Sequence, residues 1–162
     1  MASDMFIKIG DIKGETSDNT HKEEIEVLSF SYGATQTGSS AAGSGGGAGK
    51  VSLSDLSFVK RLDKSSPVLF VKCCTGEHIK DAMLVVRKAG GTQLEYLKIK
   101  LTDVLVSSIR PGGSAHGEDI PMEEVSLNFT KIEVTYQQQG ADGKAMGGPV
   151  SGGWNLKTNV KV

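Results

Sequence analysis

The chain has few cysteines, few aromatics, no excess of either charge and no long apolar run, and each shortage closes off a class of function. Its two cysteines, Cys73 and Cys74, are neighbours, and adjacent residues rarely reach disulfide geometry. No bridge within the chain is expected. The pair reads as small helix hydrophobes, a usage that fits folding in a reducing cytosol. Lys and Arg number 18 against 19 Asp and Glu, a formal charge of −1. That balance offers no long-range attraction to nucleic acid or anionic lipid. No segment approaches the apolar length of a membrane span, and the opening Met1-Ala2-Ser3-Asp4 has no basic stretch leading into an apolar one. If the protein leaves the cell, a route that ignores signal peptides is expected. Nine aromatics in total leave few stacking platforms for a carbohydrate.

Glycine is what the chain has in excess. It counts 21 of 162 residues, well above the average of roughly 7%. Seven lie between Gly33 and Lys50, where Lys50 is the only charge, and six between positions 140 and 153. The first cluster reads as a structureless loop, functional or disordered, whose lack of charge suits ordering against another protein surface.

Elsewhere the pattern has period two. Met5, Ile7 and Ile9 alternate with Phe6 and Lys8. Between Glu24 and Tyr32 the apolar parity switches, from Ile25 and Val27 to Leu28, Phe30 and Tyr32. Leu53 to Leu56 repeats the switch, and so does Phe129 to Ile132. Three switches imply bulged, strongly bent strands, as a closed barrel requires. Residues 82–88 and 92–106 read as a hairpin turning at Ala89-Gly90-Gly91. Residues 154–162 read as one last strand with Trp154, Leu156, Val160 and Val162 on its buried face. A single helix is expected at about 67–75, capped by Ser66, opened by Pro67 and stopped by Gly76. Being apolar nearly all round, it should be largely buried. The fold expected is mostly β: an antiparallel β-barrel of two sheets with one short helix and long glycine-rich loops. A chain of this length forms one domain, 1–162, burying roughly 70% of its unfolded surface.

Catalytic and cofactor patterns fail on inspection. A phosphate-binding loop needs glycine and hydroxyl where Ser44 and Val51 stand around Gly49-Lys50. Gly43-x-Gly45-x-x-Ala48 runs into a strand, where a dinucleotide site requires a helix. His21, His78 and His116 lack zinc spacing and read as solvated surface residues. Glu118, Asp119, Glu123 and Glu124 sit among glycines and Pro121 and read as a solvated loop. No enzyme activity, cofactor or metal is expected.

The ordered motifs resemble the haemolysin-coregulated protein family, the tube component of bacterial type VI secretion. The resemblance runs through Met5-Phe6-Ile7-Lys8-Ile9-Gly10, Leu56-Ser57-Phe58, Asp63 to Pro67, Arg87 to Gly91 and Glu95-Tyr96-Leu97. It continues with Val106-Ser107-Ser108, Leu127-Asn128-Phe129, Gly147-Gly148-Pro149 and Gly153-Trp154-Asn155, and so spans the chain. It implies a homohexameric ring, rings stacked into a hollow tube inside a contractile sheath behind a spike, and effector proteins carried in the lumen. Assembly in the bacterial cytoplasm and delivery to the medium or a target cell follow from it. No nucleic acid and no membrane insertion are implied, and with Val162 closing the last strand no toxin domain is expected.

Within that reading, Gly33, Thr35, Gly38, Gly43, Gly45, Gly47 and Lys50 form a loop reaching an adjacent ring. Ser29 and Ser31, opposite in parity to Leu28, Phe30 and Tyr32, are the residues singled out for the lumen and its effectors, the alternative being that they are ordinary small strand residues. The alternative from the residues is a monomeric β-barrel module binding carbohydrate or peptide at the glycine loops.

Overall fold

A computed structural model describes residues 2–37, 50–116 and 120–162. The strands are β1 (Ser3–Ile9), β2 (Ile25–Glu26), β3 (Ser29–Ser31), β4 (Ala34–Thr35), β5 (Ser52–Leu53) and β6 (Leu56–Arg61). Helix α1 (Ser65–Thr75) follows, then β7 (Ile79–Lys88), β8 (Glu95–Gly112), β9 (Met122–Tyr136), β10 (Val150–Asn155) and β11 (Val160–Lys161). Among the described residues nine strands share one antiparallel sheet in the order β11-β10-β9-β8-β7-β1-β2, with β6 joined to β9 and β3 joined to β6.

The long strands β8 and β9 explain how one sheet makes two layers. Their buried parity changes midway, from Ile99 and Leu101 to Val104 and Val106 on β8 and from Ile132 to Phe129 and Leu127 on β9. Asp103, at φ 56, marks the bend, and a register shift between Val106 and Ser108 adds a bulge, a device that sharpens strand bending. One half of the pair extends β7 and β1; the other half extends β6 and β3. Ile7, Ile9, Ile25, Leu56, Phe58, Leu84, Ile99 and Leu127 fill the space between.

The barrel does not close as the parity switches suggest. No ladder joins β2 to β6 among the described residues. The chain itself bridges the gap: Val27 N–H donates to the Met5 carbonyl at 2.9 Å, and Leu28 N–H donates to the Val59 carbonyl at 2.8 Å. The parity switch read at Val27–Leu28 is this handover from one strand partner to another.

Helix α1 starts two residues earlier than expected, and Lys64, not Ser66, precedes it without a side-chain cap. Ser66 instead accepts hydrogen bonds at 3.0 Å from Asp63 N–H and from Lys60 Nζ. Gly76 ends the helix at φ 67, the left-handed stop the sequence indicates. The helix is not largely buried. Leu69 is enclosed, but Phe70 and Val71 stay 53% and 55% exposed, and Cys74 is exposed while Cys73 packs on the core.

Three further expectations change. The strand read at 154–162 is a hairpin, turned through Asn159 at φ 57, which leaves Val160 and Val162 exposed. The glycine stretch from Gly33 to Lys50 is not structureless throughout, because Ala34–Thr35 pairs with Ser52–Leu53 as a two-stranded ribbon. The strand expected from residue 92 starts at Glu95 and runs to Gly112.

Candidate functional site

Strands β3, β6, the first half of β9 and the second half of β8 form a four-stranded wall. Its inner side carries Leu56, Phe58, Val125 and Leu127 into the core. Alternation then turns the intervening residues outward. Ser31 stands opposite Ser57, Ser57 opposite Ser126, and Ser126 opposite Ser108, so one row of serines crosses all four strands. The next row is Ser29, Val59, Glu124 and Arg110. Directly opposed residues share a face of a sheet, so the two rows lie side by side on one surface.

Both serines singled out as lumen contacts, Ser29 and Ser31, are exposed on this wall. Ser57, Ser108 and Ser126 join them through strand register, which separation in sequence hides. The hydroxyls differ in their commitments. Ser57 Oγ and Ser126 Oγ bond each other at 2.9 Å. Ser107 Oγ donates to Asp55 Oδ2 at 2.5 Å, and Asn128 Nδ2 donates to Asp55 Oδ1 at 3.0 Å. The centre of the wall is thus small, polar and uncharged, with Asp55 beyond one end and Glu124, Arg110 and Arg61 toward the other.

The loop residues fall partly within the described chain. Gly33 accepts hydrogen bonds at its carbonyl from Ser54 N–H at 2.9 Å and Ser54 Oγ at 3.2 Å. Thr35 pairs with Ser52, and Lys50 is exposed. Gly38, Gly43, Gly45 and Gly47 lie outside the described residues.

Two polar clusters contradict the solvated reading of their residues. His21 is only 7% exposed. Its ring stacks on Phe6 with centroids 4.5 Å apart, and carboxylates flank both nitrogens, Glu24 at 2.5 Å and Glu95 at 2.7 Å. Beside it Arg87 grips both carboxylate oxygens of Asp18 and lies 4.9 Å above the Phe6 ring. Hydrogen bonding to Arg87 holds the Asp18 carboxyl well below the usual carboxylate range. These contacts fasten the 11–24 segment over the outer face of β1 and β7.

The second cluster holds Glu123, which lies on β9, not in a loop, and is 2% exposed. Lys60, fully enclosed, brings Nζ within 2.7 Å of its Oε1 and donates to the Arg61 carbonyl, Asp63 Oδ1 and Ser66 Oγ at 3.0 Å each.

Neither cluster places a histidine on a hydroxyl or thiol nucleophile. His78 bonds Asp103 at 2.8 Å on the surface, where Thr130 first and His78 second lower the Asp103 carboxyl pKa. Among the described residues no group of three His, Cys, Asp or Glu is placed to hold a metal, and no helix is long and apolar enough to cross a membrane.

The chain is similar to known proteins along its whole length. A family model described as "Type VI secretion system effector, Hcp" matches residues 6–136. Protein hcp1 of Pseudomonas aeruginosa PAO1 is 57% identical over 163 residues, covering all of both chains. The crystal structure of Hcp1 from Salmonella typhimurium superposes over all of both chains with a TM-score of 0.83 at 41% identity. A structure described as a type six secretion system protein gives 0.93 at 32% identity, covering 99% of this chain and 100% of that one. The chain belongs to the Hcp family of type VI secretion proteins.

Proposed function

We propose that this chain is the structural subunit of a type VI secretion tube. Six copies form a ring, rings stack into a hollow conduit, and sheath contraction expels the tube behind its spike with effector proteins inside. The subunit performs no catalysis; it supplies shape, repeatable edges and an inner surface.

The observation that carries this reading is the outward face of the four-stranded wall. A channel that must hold proteins and release them requires a lining without large apolar patches, which would trap cargo irreversibly. It must also lack a dominant charge, which would sort cargo by its own charge. The row Ser31, Ser57, Ser126 and Ser108 has neither. Ser29 and Ser31 are the hydroxyls proposed to meet effectors there. The β4–β5 ribbon supports the second part of the reading. Thr35 lies in that ribbon, with Gly33 and Lys50 close by in sequence, and these three together with Gly38, Gly43, Gly45 and Gly47, which lie outside the described residues, are the stretch proposed to reach the adjacent ring. Assembly in the cytoplasm followed by export without a signal peptide is the route proposed.

Size-exclusion chromatography with negative-stain imaging of the purified protein tests the ring. Annular particles of six copies are expected. A monomer at high micromolar concentration with no annuli overturns the proposal.

A further inference from the structure

Residues 11–24 form a loop whose backbone hydrogen bonds close on itself. Gly14 N–H donates to the Glu23 carbonyl, Glu23 N–H to that of Thr16, Thr16 N–H to that of Glu24 and Glu24 N–H to that of His21. Among the described residues no ladder joins the loop to β7 or β8. Ile12 and Ile25 anchor its two ends in the core, so side chains hold down the stretch between. Glu15 accepts a hydrogen bond from Lys64 N–H at 2.8 Å, and the remaining fasteners are Asp18, Thr20 and His21. Under the loop lie Phe6 and Val85, opposed on β1 and β7. Both are buried, yet neither belongs to the core between the two layers. The loop is what shields them.

The fastening at the far end is a histidine between two carboxylates. Glu24 Oε2 lies 2.5 Å from His21 Nδ1, and Glu95 Oε1 lies 2.7 Å from Nε2. A neutral imidazole carries one N–H and leaves its other nitrogen a bare acceptor. Against a carboxylate that nitrogen would oppose acceptor to acceptor, so only the doubly protonated ring makes both contacts at once. The charges around it agree. Facing the cluster are Glu24 and Asp18 from the loop, Asp4 from β1, Arg87 from β7, and Glu95 and Lys98 from β8. Lys8, Asp11, Lys13, Lys22 and Glu23 line the recess beside it, where Lys13 pairs with Glu23 at 3.6 Å. Arg87 is engaged by Asp18 and Asp4, and Lys98 by Glu95. Glu24, its side chain 13% exposed, therefore has His21 as its one cationic partner among the described residues. A ring stacked on the Phe6 face gains further from carrying charge. We propose that the loop is a strap closed by a proton: His21, protonated at both ring nitrogens, clasps Glu24 to Glu95, and loss of one proton releases the strap and uncovers Phe6 and Val85. The clasp lies within one subunit and does not rest on the ring reading above.

Hydrogen exchange of the 11–24 segment tests the strap, read by mass spectrometry on the purified protein and corrected for intrinsic rates. The comparison runs from about pH 5 to about pH 8, the span over which histidine changes charge. The charged ring makes the clasp, so protection is expected to be full at the acid end and lost as pH rises. The bonded amides of Gly14, Thr16, Glu23 and Glu24 should lose about tenfold or more in protection, the scale of a charge-assisted hydrogen bond left unmade. Amides of β7 and β8 should keep theirs. In His21→Gln the segment should show no such dependence, whereas His78 and His116 remain to titrate. Protection that is independent of pH in the parent overturns the strap, and so does a pH dependence that survives in His21→Gln. Should that variant fail to fold, Glu95→Gln decides the matter. Its side-chain amide can offer either a donor or an acceptor to Nε2, so a neutral ring is satisfied there and the pH dependence should shrink. An undiminished dependence in Glu95→Gln overturns the proposal.

Discussion

Lys60 and Glu123 are directly opposed on β6 and β9 and meet inside the protein, Nζ 2.7 Å from Oε1, with both side chains enclosed. Removing one member of such a pair strands the other charge without solvent. Lys60→Met is therefore expected to destabilise folding by about 3–5 kcal/mol, read from the chemical denaturation midpoint. Adding Glu123→Leu should recover part of that loss, and a double variant as unstable as the single would show that the pairing itself matters little. Recovery stays partial because Asp63 and Ser66 also rely on Nζ.

The Asp18 carboxyl titrates well below its ordinary value because Arg87 hydrogen-bonds it. A depressed carboxylate contributes stability that is full above the unfolded pKa, near 3.9 for Asp, and is lost as pH falls toward the folded value. Asp18→Asn should therefore lower stability at pH 7 and flatten the acid limb of the stability curve below about pH 4. An unchanged acid limb in pH-dependent thermal melts would contradict this assignment.

Arg87→Lys keeps the charge and loses the fork that grips both Asp18 oxygens. The 11–24 segment should then open more often than in the parent. Hydrogen exchange of the Gly14 and Glu23 amides, which donate to Glu23 and Thr16 carbonyls, is expected to accelerate while core amides of β7 and β8 stay protected.

Glycine replacements should separate backbone approach from backbone conformation. A Cβ on Gly14 would stand 2.3 Å from the Glu24 carbonyl oxygen, so Gly14→Ala should cost at or beyond the ~3 kcal/mol upper range of overpacking. Gly90, at φ 79 with open space around it, should lose only the roughly 1–2 kcal/mol of a left-handed alanine. Equal melting temperatures for the two variants would refute the distinction.

For stacking, Thr35→Pro removes the donor of the residue paired with Ser52. Single annuli should persist in negative stain while end-to-end stacks disappear. Undiminished stacking would reassign that role.

What the sequence made legible was local. Pro67 and the Gly76 stop locate the helix to within two residues, and period two marks the strands, because both depend on neighbours within a turn or a pleat. His21 misled because Thr20, Lys22 and Glu23 around it are polar, while Phe6 and Glu95, which stack on its ring and bond it, arrive from distant strands. Glu123 misled for the same reason, since Lys60 is 63 positions away. Parity switches exposed the bends but not the register, so neither the open ladder between β2 and β6 nor the row from Ser31 to Ser108 could be read beforehand.

The crossing at Val27 and Leu28 has a mechanical consequence. Consecutive residues bond Met5 on one layer and Val59 on the other. A thrust that shears the two layers apart at this side is met by a covalent chain two residues long, not by a zipper of hydrogen bonds that could open one rung at a time. The two layers are braced there against peeling apart under load.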